Sequence, residues 1–142
     1  MPLEIKIKKS HPEAIVPRHA KDGDAGMDLC SVENYSLSPS EKALVKTGLH
    51  FEIPKGYFGS IRDRSGLAVK YGIHALAGVI DSGYRGEIII ALVNLGKENY
   101  EIKKGERVAQ IIIQPHENCN VIEVKELAES ERGSDGFGST GR

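Results

Sequence analysis

Turn-forming clusters break this sequence at short intervals, and that spacing narrows the possible folds more than any other feature. Pro17, Lys21-Asp22-Gly23-Asp24, Ser38-Pro39-Ser40, Pro54-Lys55-Gly56, Asp81-Ser82-Gly83, Gly96-Lys97-Glu98-Asn99, Lys104-Gly105 and Pro115 mark the breaks. Turns roughly 8–12 residues apart leave room for short strands and little else, the pattern of a β-sandwich, jelly roll or barrel. The intervening segments agree. Leu3 to Lys8 alternates strictly between apolar and charged residues, and Val45, Leu49, Phe51 and Ile53 are interleaved with Lys46, His50 and Glu52. Both predict half-buried strands. Glu87 to Asn94 and Ile111 to Ile113 are apolar on consecutive positions, which predicts strands covered on both faces, central in a sheet or lying at a subunit contact. One short helix is expected over Gly66 to Tyr71, capped by Ser65 and ended by Gly72. The expected fold is therefore all-β with a single short helix.

At 142 residues and 39% hydrophobic, the chain suits one domain with a real core. Its longest apolar run, Ile88 to Val93, is far short of the roughly 18 residues a membrane span requires, and MPLEIKIKKS has no apolar signal core. The expectation is a soluble, unprocessed protein with no membrane partner. A net charge of -1 gives no field for holding a polyanion, so duplex nucleic acid is not an expected partner, whereas a small anion needs only a few convergent cations. Cys30 and Cys119 stand far apart without metal or disulfide spacing, which fits a reduced, cytoplasmic setting. From Lys125 to Arg142 only Leu127, Ala128 and Phe137 are apolar, too few to offset the entropy of ordering. Residues 1–124 are expected to form the domain and 125–142 a flexible tail.

Five segments carry chemistry, and each alone also has a plain structural reading. Asp28 in AGMDL is an acid at a strand start, or a turn residue. Arg64-Ser65-Gly66 offers a guanidinium, a hydroxyl and free amides at a helix start, where an anion is favoured; it also reads as a simple cap. GVIDSGYRG (78–86) places Asp81, Tyr84 and Arg85 in what is otherwise an ordinary turn. Arg107-Val108-Ala109-Gln110 is a strand with a polar edge or a ligand contact. The tail RGSDGFGSTG (132–141) combines convergent backbone amides, hydroxyls, Arg132 and the flat ring of Phe137, which suits phosphates and a base but also a linker.

Together, in order and spacing, AGMDL (25–29), RSGLA (64–68), GVIDSGYRG (78–86), RVAQ (107–110) and RGSDGFGSTG (132–141) closely resemble the five motifs of the trimeric deoxyuridine triphosphatase (dUTPase, dUTP pyrophosphatase) family. The resemblance runs from about residue 14 to the end. It implies a distorted jelly-roll β-sandwich assembled as a homotrimer with three shared active sites. It further implies magnesium-assisted hydrolysis of dUTP to dUMP and pyrophosphate, which keeps uracil out of DNA and supplies dUMP for dTMP synthesis.

By the same resemblance Asp81 matches the carboxylate that orients and deprotonates the attacking water. A carboxylate is a feeble base at neutral pH, so its value lies mostly in holding that water in line. Arg64, Ser65, Gly66 and Gln110 match phosphate contacts, and Arg132, Ser139 and Thr140 the tail residues that grip the γ-phosphate. Asp28 matches the acid that holds Mg2+ through its water shell. Uracil and deoxyribose selection would fall to a hairpin from Ala75 through Gly78, Val79 and Ile80, to Tyr84 packed under the sugar, and to Phe137 stacked on the base as the tail closes as a lid. Departures from the pattern are Gly83, where an acid is common, Asp135, where a glycine is common, and an Ile73 to Ala77 stretch without asparagine. The related dCTP deaminases share the Ile-Asp-x-Gly-aromatic pattern but need a glutamate where Ala91 stands. A nucleotide-binding trimer without turnover would have no use for Asp81.

Overall fold

The strands implied by alternation and turn spacing are present and pair antiparallel throughout. In a computed structural model that describes residues 2–138, one four-stranded sheet comprises β1 (Lys6–Lys9), β4 (Lys42–Glu52), β8 (Glu87–Asn94) and β6 (Ile73–Leu76), in that spatial order. A second comprises β2 (Met27–Cys30), β10 (Arg107–Pro115), β5 (Tyr57–Arg62) and β7 (Val79–Ile80), also in spatial order. β3 (Tyr35–Leu37) and β9 (Tyr100–Ile102) form a two-stranded ribbon, and α1 (Ser65–Tyr71) is the one helix among the described residues. The result is the expected all-β jelly roll. One apolar cluster joins the sheets: Leu49, Phe51, Ile88 and Ile90 of the first and Leu29 and Ile111 of the second are each no more than 1% exposed. Each such side chain contributes about 1.5–3 kcal/mol on leaving water.

Several local expectations are corrected. β1 starts at Lys6 rather than Leu3 because its partner ends there, Lys6 standing opposite Glu52. Ser65 is the first helical residue rather than the cap; Arg64 takes the cap position with extended backbone and no side-chain hydrogen bond to the helix start. Gly72 does end the helix, in the left-handed conformation at φ 73°, with its N–H returned to Ala68 and Leu67. β8 is central, between β4 and β6, but within the single chain it is covered on one face only. Ile88, Ile90 and Leu92 point into the core, while Ile89 on the other face is 41% exposed and nearby Leu44 of β4 is 65% exposed.

Asn94 ends β8 as a fully buried polar hub. Its side-chain N–H groups donate to the Leu37 and Glu98 carbonyls at 2.9 and 2.8 Å, and its Oδ1 accepts from the Gly96 N–H at 2.9 Å. The strand end, the ribbon and the following turn are thereby joined without a free polar group. Asn94→Ala strands those partners, and chemical denaturation is expected to show a loss of about 3 kcal/mol. A loss below about 1 kcal/mol would mean that water replaces the amide at no cost.

Beyond β10 the described residues form no further strand or helix, and residues 117–135 are exposed. Val121, at 89% exposure, and Ile122, Val124 and Leu127 are apolar side chains that nothing in the single chain covers.

Candidate active site

The residues singled out from the sequence fall into three groups in the structure. The first forms where β2, β10 and the start of α1 meet. Register sets Asp28 opposite Gln110 and brings Arg107 beside the same strand, while the β5–α1 junction delivers Arg64. The Asp28 carboxylate lies 3.6 Å from Arg64 Nε and 3.8 Å from Arg107 Nη1, and Arg64 Nη1 donates to the Arg107 carbonyl at 3.3 Å. Two guanidiniums thus share one carboxylate and leave positive charge over. Such partly exposed pairs contribute at most about 1 kcal/mol to stability, so little holds the arginines back from an incoming anion. Ser65 and Gly66 are exposed beside them, and the hydroxyl is not spent on capping the helix. The space where Gly66 would carry a side chain is open.

Gln110 is held from both sides. Its Nε2 donates to the Asp63 carbonyl at 2.9 Å, and its Oε1 lies so close to Gly26 that a side chain there would collide with it. Close by, a cavity of about 750 Å³ is lined by Ser60, Asp63, Ala75, Gly78, Val79 and Gln110, among others. Its walls come from the expected hairpin, which proves to be split. β6 pairs with β8 in the first sheet, whereas β7 pairs with β5 in the second, Gly59 facing Ile80 and Ser60 facing Val79. The two strands open as a V whose apex is Ala77 and Gly78, at φ 58° and 110°. A side chain at Gly78 would press on the Ile61 carbonyl at 2.8 Å, so glycine is required there for space as well as for its backbone.

The third group lies on the turn after β7. Asp81 and Tyr84 line a small groove of about 150 Å³ with Val79, Ile80, Glu87 and Ile89, and no residue of the arginine cluster lines it. The turn is held by its own main chain and by side chains other than Asp81. The Tyr84 N–H donates to the Asp81 carbonyl at 3.1 Å, the Tyr84 hydroxyl to the Glu87 carbonyl at 2.9 Å, and Arg85 Nη1 to the Ser82 carbonyl at 2.7 Å. The Asp81 side chain is exposed. In the tail, Arg132 Nε donates to the Asp135 carbonyl at 2.6 Å, and Phe137 is fully exposed, so neither Arg132 nor Phe137 joins the other groups. Ser139 and Thr140 lie outside the described residues.

The family model described as dUTPase matches residues 12–141. The chain belongs to the dUTPase family. The deoxyuridine 5'-triphosphate nucleotidohydrolase of Nautilia profundicola is 50% identical over 142 residues, covering 99% of this chain and 100% of that one. Among solved structures, the Staphylococcus bacteriophage 80alpha dUTPase with dUPNHPP superposes with a TM-score of 0.93 at 32% identity, over 98% of this chain and 99% of that one. A dUTPase from phage phi11 of S. aureus, whose structure concerns the coordination of a structural Mg(II) ion, gives a TM-score of 0.82 at 28% identity, over 87% and 97% of the two chains.

Membership of the dUTPase family decides between the sister chemistries. Magnesium is the metal of dUTPases. Among the described residues, however, no three His, Cys, Asp or Glu side chains gather to hold an ion. A single carboxylate between two guanidiniums is no resident metal site. It does suit an ion that arrives on phosphates and keeps most of its water shell, as magnesium does. Two residues in contact with the selected ones were not singled out from the sequence: Arg107, which the fourth segment contains, and Asp63, whose partners are eleven or more positions away. Only pairing across strands reveals them. Cys30, two residues after Asp28 on β2, is buried, and burial pushes its thiol pKa up.

Proposed function

We propose that three copies of the chain share each catalytic site, with the arginine cluster of one copy facing the Asp81 groove of another and a tail closing over both. The reaction, hydrolysis of dUTP to dUMP and pyrophosphate, follows from family membership. The observation that carries the shared-site reading is the separation just described: Asp81 and Tyr84 line a groove that none of the phosphate-facing residues lines. The outward apolar face at Leu44 and Ile89, and the uncovered Val121, Ile122 and Val124, supply surface for contact between copies.

In this arrangement Asp81 aligns a water with the α-phosphorus and takes its proton as the new oxygen–phosphorus bond forms. The bond from the α-phosphorus to its bridging oxygen breaks, and pyrophosphate leaves. Arg64, the Ser65 hydroxyl, the Gly66 amide and Gln110 hold the phosphates, and Arg107 adds a second guanidinium, so the protein acts mainly by positioning and charge stabilisation. Magnesium on the triphosphate oxygens would neutralise charge there, and Asp28 would meet its water shell. Tyr84 lies under the deoxyribose and excludes a 2′-hydroxyl. Arg132, Ser139 and Thr140 reach the γ-phosphate, and Phe137 stacks on uracil. Residues 1–124 form the domain and 125–142 the lid.

A substrate panel tests this reading. With magnesium, purified protein is expected to convert dUTP to dUMP and pyrophosphate while leaving dCTP, dTTP and UTP nearly untouched. Ammonia release from dCTP, or tight dUTP binding without turnover, would overturn it. Light scattering that gave a monomer in the presence of a dUTP analogue would remove the shared site.

A further inference from the structure

The geometry points to Asp63 as a positioning residue that fixes the width of the base-reading cleft and so sets selectivity for the pyrimidine independently of grip on the phosphates. The inference rests on the proposed use of the split hairpin. Asp63 opens the β5–α1 junction, one residue before Arg64, and its side chain reaches across to the first sheet. One carboxylate oxygen accepts from the Ala75 N–H at 2.5 Å, and the other lies 2.6 Å from His74 Nδ1. Both partners belong to β6, whereas Asp63 follows β5 of the second sheet. The carboxylate therefore ties one arm of the V, β6, to the end of β5, the strand on which the other arm, β7, is paired. The other arm is tied to β5 at the apex by the Ile61 N–H, which donates to the Gly78 carbonyl at 2.8 Å.

The division of labour within this residue makes the idea testable. The contact toward the phosphate side, Gln110 Nε2 to Asp63, goes to the main-chain carbonyl, which any substitution keeps. The contacts toward the base side go through the carboxylate, which a substitution removes. A hydrogen bond from an amide to a charged carboxylate is among the stronger kinds, and at 27% side-chain exposure this one is partly sheltered from water. Losing it releases β6 from β5 and widens the cleft, while Arg64, Ser65, Gly66 and Gln110 keep their places.

The experiment compares full-length wild type, Asp63→Ala and Asp63→Asn. It measures kcat and KM for dUTP, and inhibition constants for dUMP, which carries the base, and for inorganic pyrophosphate, which does not. Asp63→Ala is expected to raise KM and the dUMP constant about tenfold, with kcat falling less than about threefold and the pyrophosphate constant moving less than about twofold. Preference for dUTP over dCTP should narrow in parallel. Asp63→Asn retains an acceptor for the Ala75 N–H and should restore most of the dUMP affinity. Equal weakening of dUMP and pyrophosphate, a drop in melting temperature with the dUMP-to-pyrophosphate ratio unchanged, or Asn behaving like Ala would each overturn the inference. A wild-type protein that hydrolyses no dUTP would instead sink the functional reading, and this one with it.

Discussion

Asp81→Asn is expected to lower kcat for dUTP about a thousandfold while affinity for a non-hydrolysable dUTP analogue stays within about threefold. Asparagine fills the same space, and the turn it sits on is held by the Tyr84 N–H, the Tyr84 hydroxyl and Arg85, none of which uses the Asp81 carboxylate. The groove formed with Tyr84 and Ile89 should therefore persist. What disappears is the negative oxygen that can both align a water and accept its proton. An amide can still accept one hydrogen bond, so some positioning remains, and the loss falls within the about 10²–10⁴-fold typical of general-base removal. Single-turnover kinetics, combined with calorimetric titration of the analogue, separates the two effects. Turnover near normal would take Asp81 out of the mechanism.

Deleting residues 130–142 is expected to leave folding intact and to reduce kcat/KM for dUTP at least about a hundredfold. The structural half of this expectation follows from where the segment's bonds go. Arg132 bonds Asp135 and Gly133 bonds Ser130, all within the tail, and residues 117–135 are exposed. Among the described residues of the segment none belongs to the core cluster, so circular dichroism and the melting temperature should be nearly those of the full chain. The functional half follows from what would be lost with it, the Arg132 guanidinium and the Phe137 ring together with the terminal hydroxyls. A truncated protein with near-normal activity would contradict the lid.

Much of the fold is legible in the sequence because alternation and turn chemistry are local. The apolar run from Glu87 to Asn94 is the strand, end to end, and Gly72 ends the helix as its lack of a side chain permits. What covers the strand's outer face is not legible from the run. Consecutive apolar residues say that both faces avoid water, not what covers them, and here Ile89 is 41% exposed within the single chain. Pairing between distant strands is not legible at all. Nothing near residue 75 announces that β6 and β7 will part into different sheets, and nothing near residue 63 announces partners at 74, 75 and 110. The candidate site shows the same division. Asp81, Arg64 and Gln110 stand out through motif order, while Arg107 and Asp63 emerge only once strand register is known.

The split hairpin has a further consequence for how this protein can change. A binding loop that hangs from one edge of a scaffold is modular, and can be exchanged or lengthened without touching the frame. Here one arm is a strand of one sheet and the other arm a strand of its opposite, so the distance between them is the distance between the sheets. A substitution at Ile111, deep among the packed side chains and outside the lining of the cavity, is therefore expected to shift the gap proposed to take the base. Ligand preference in such a molecule is inherited from its packing, and new preferences have to be found by repacking the interior rather than by redecorating the rim.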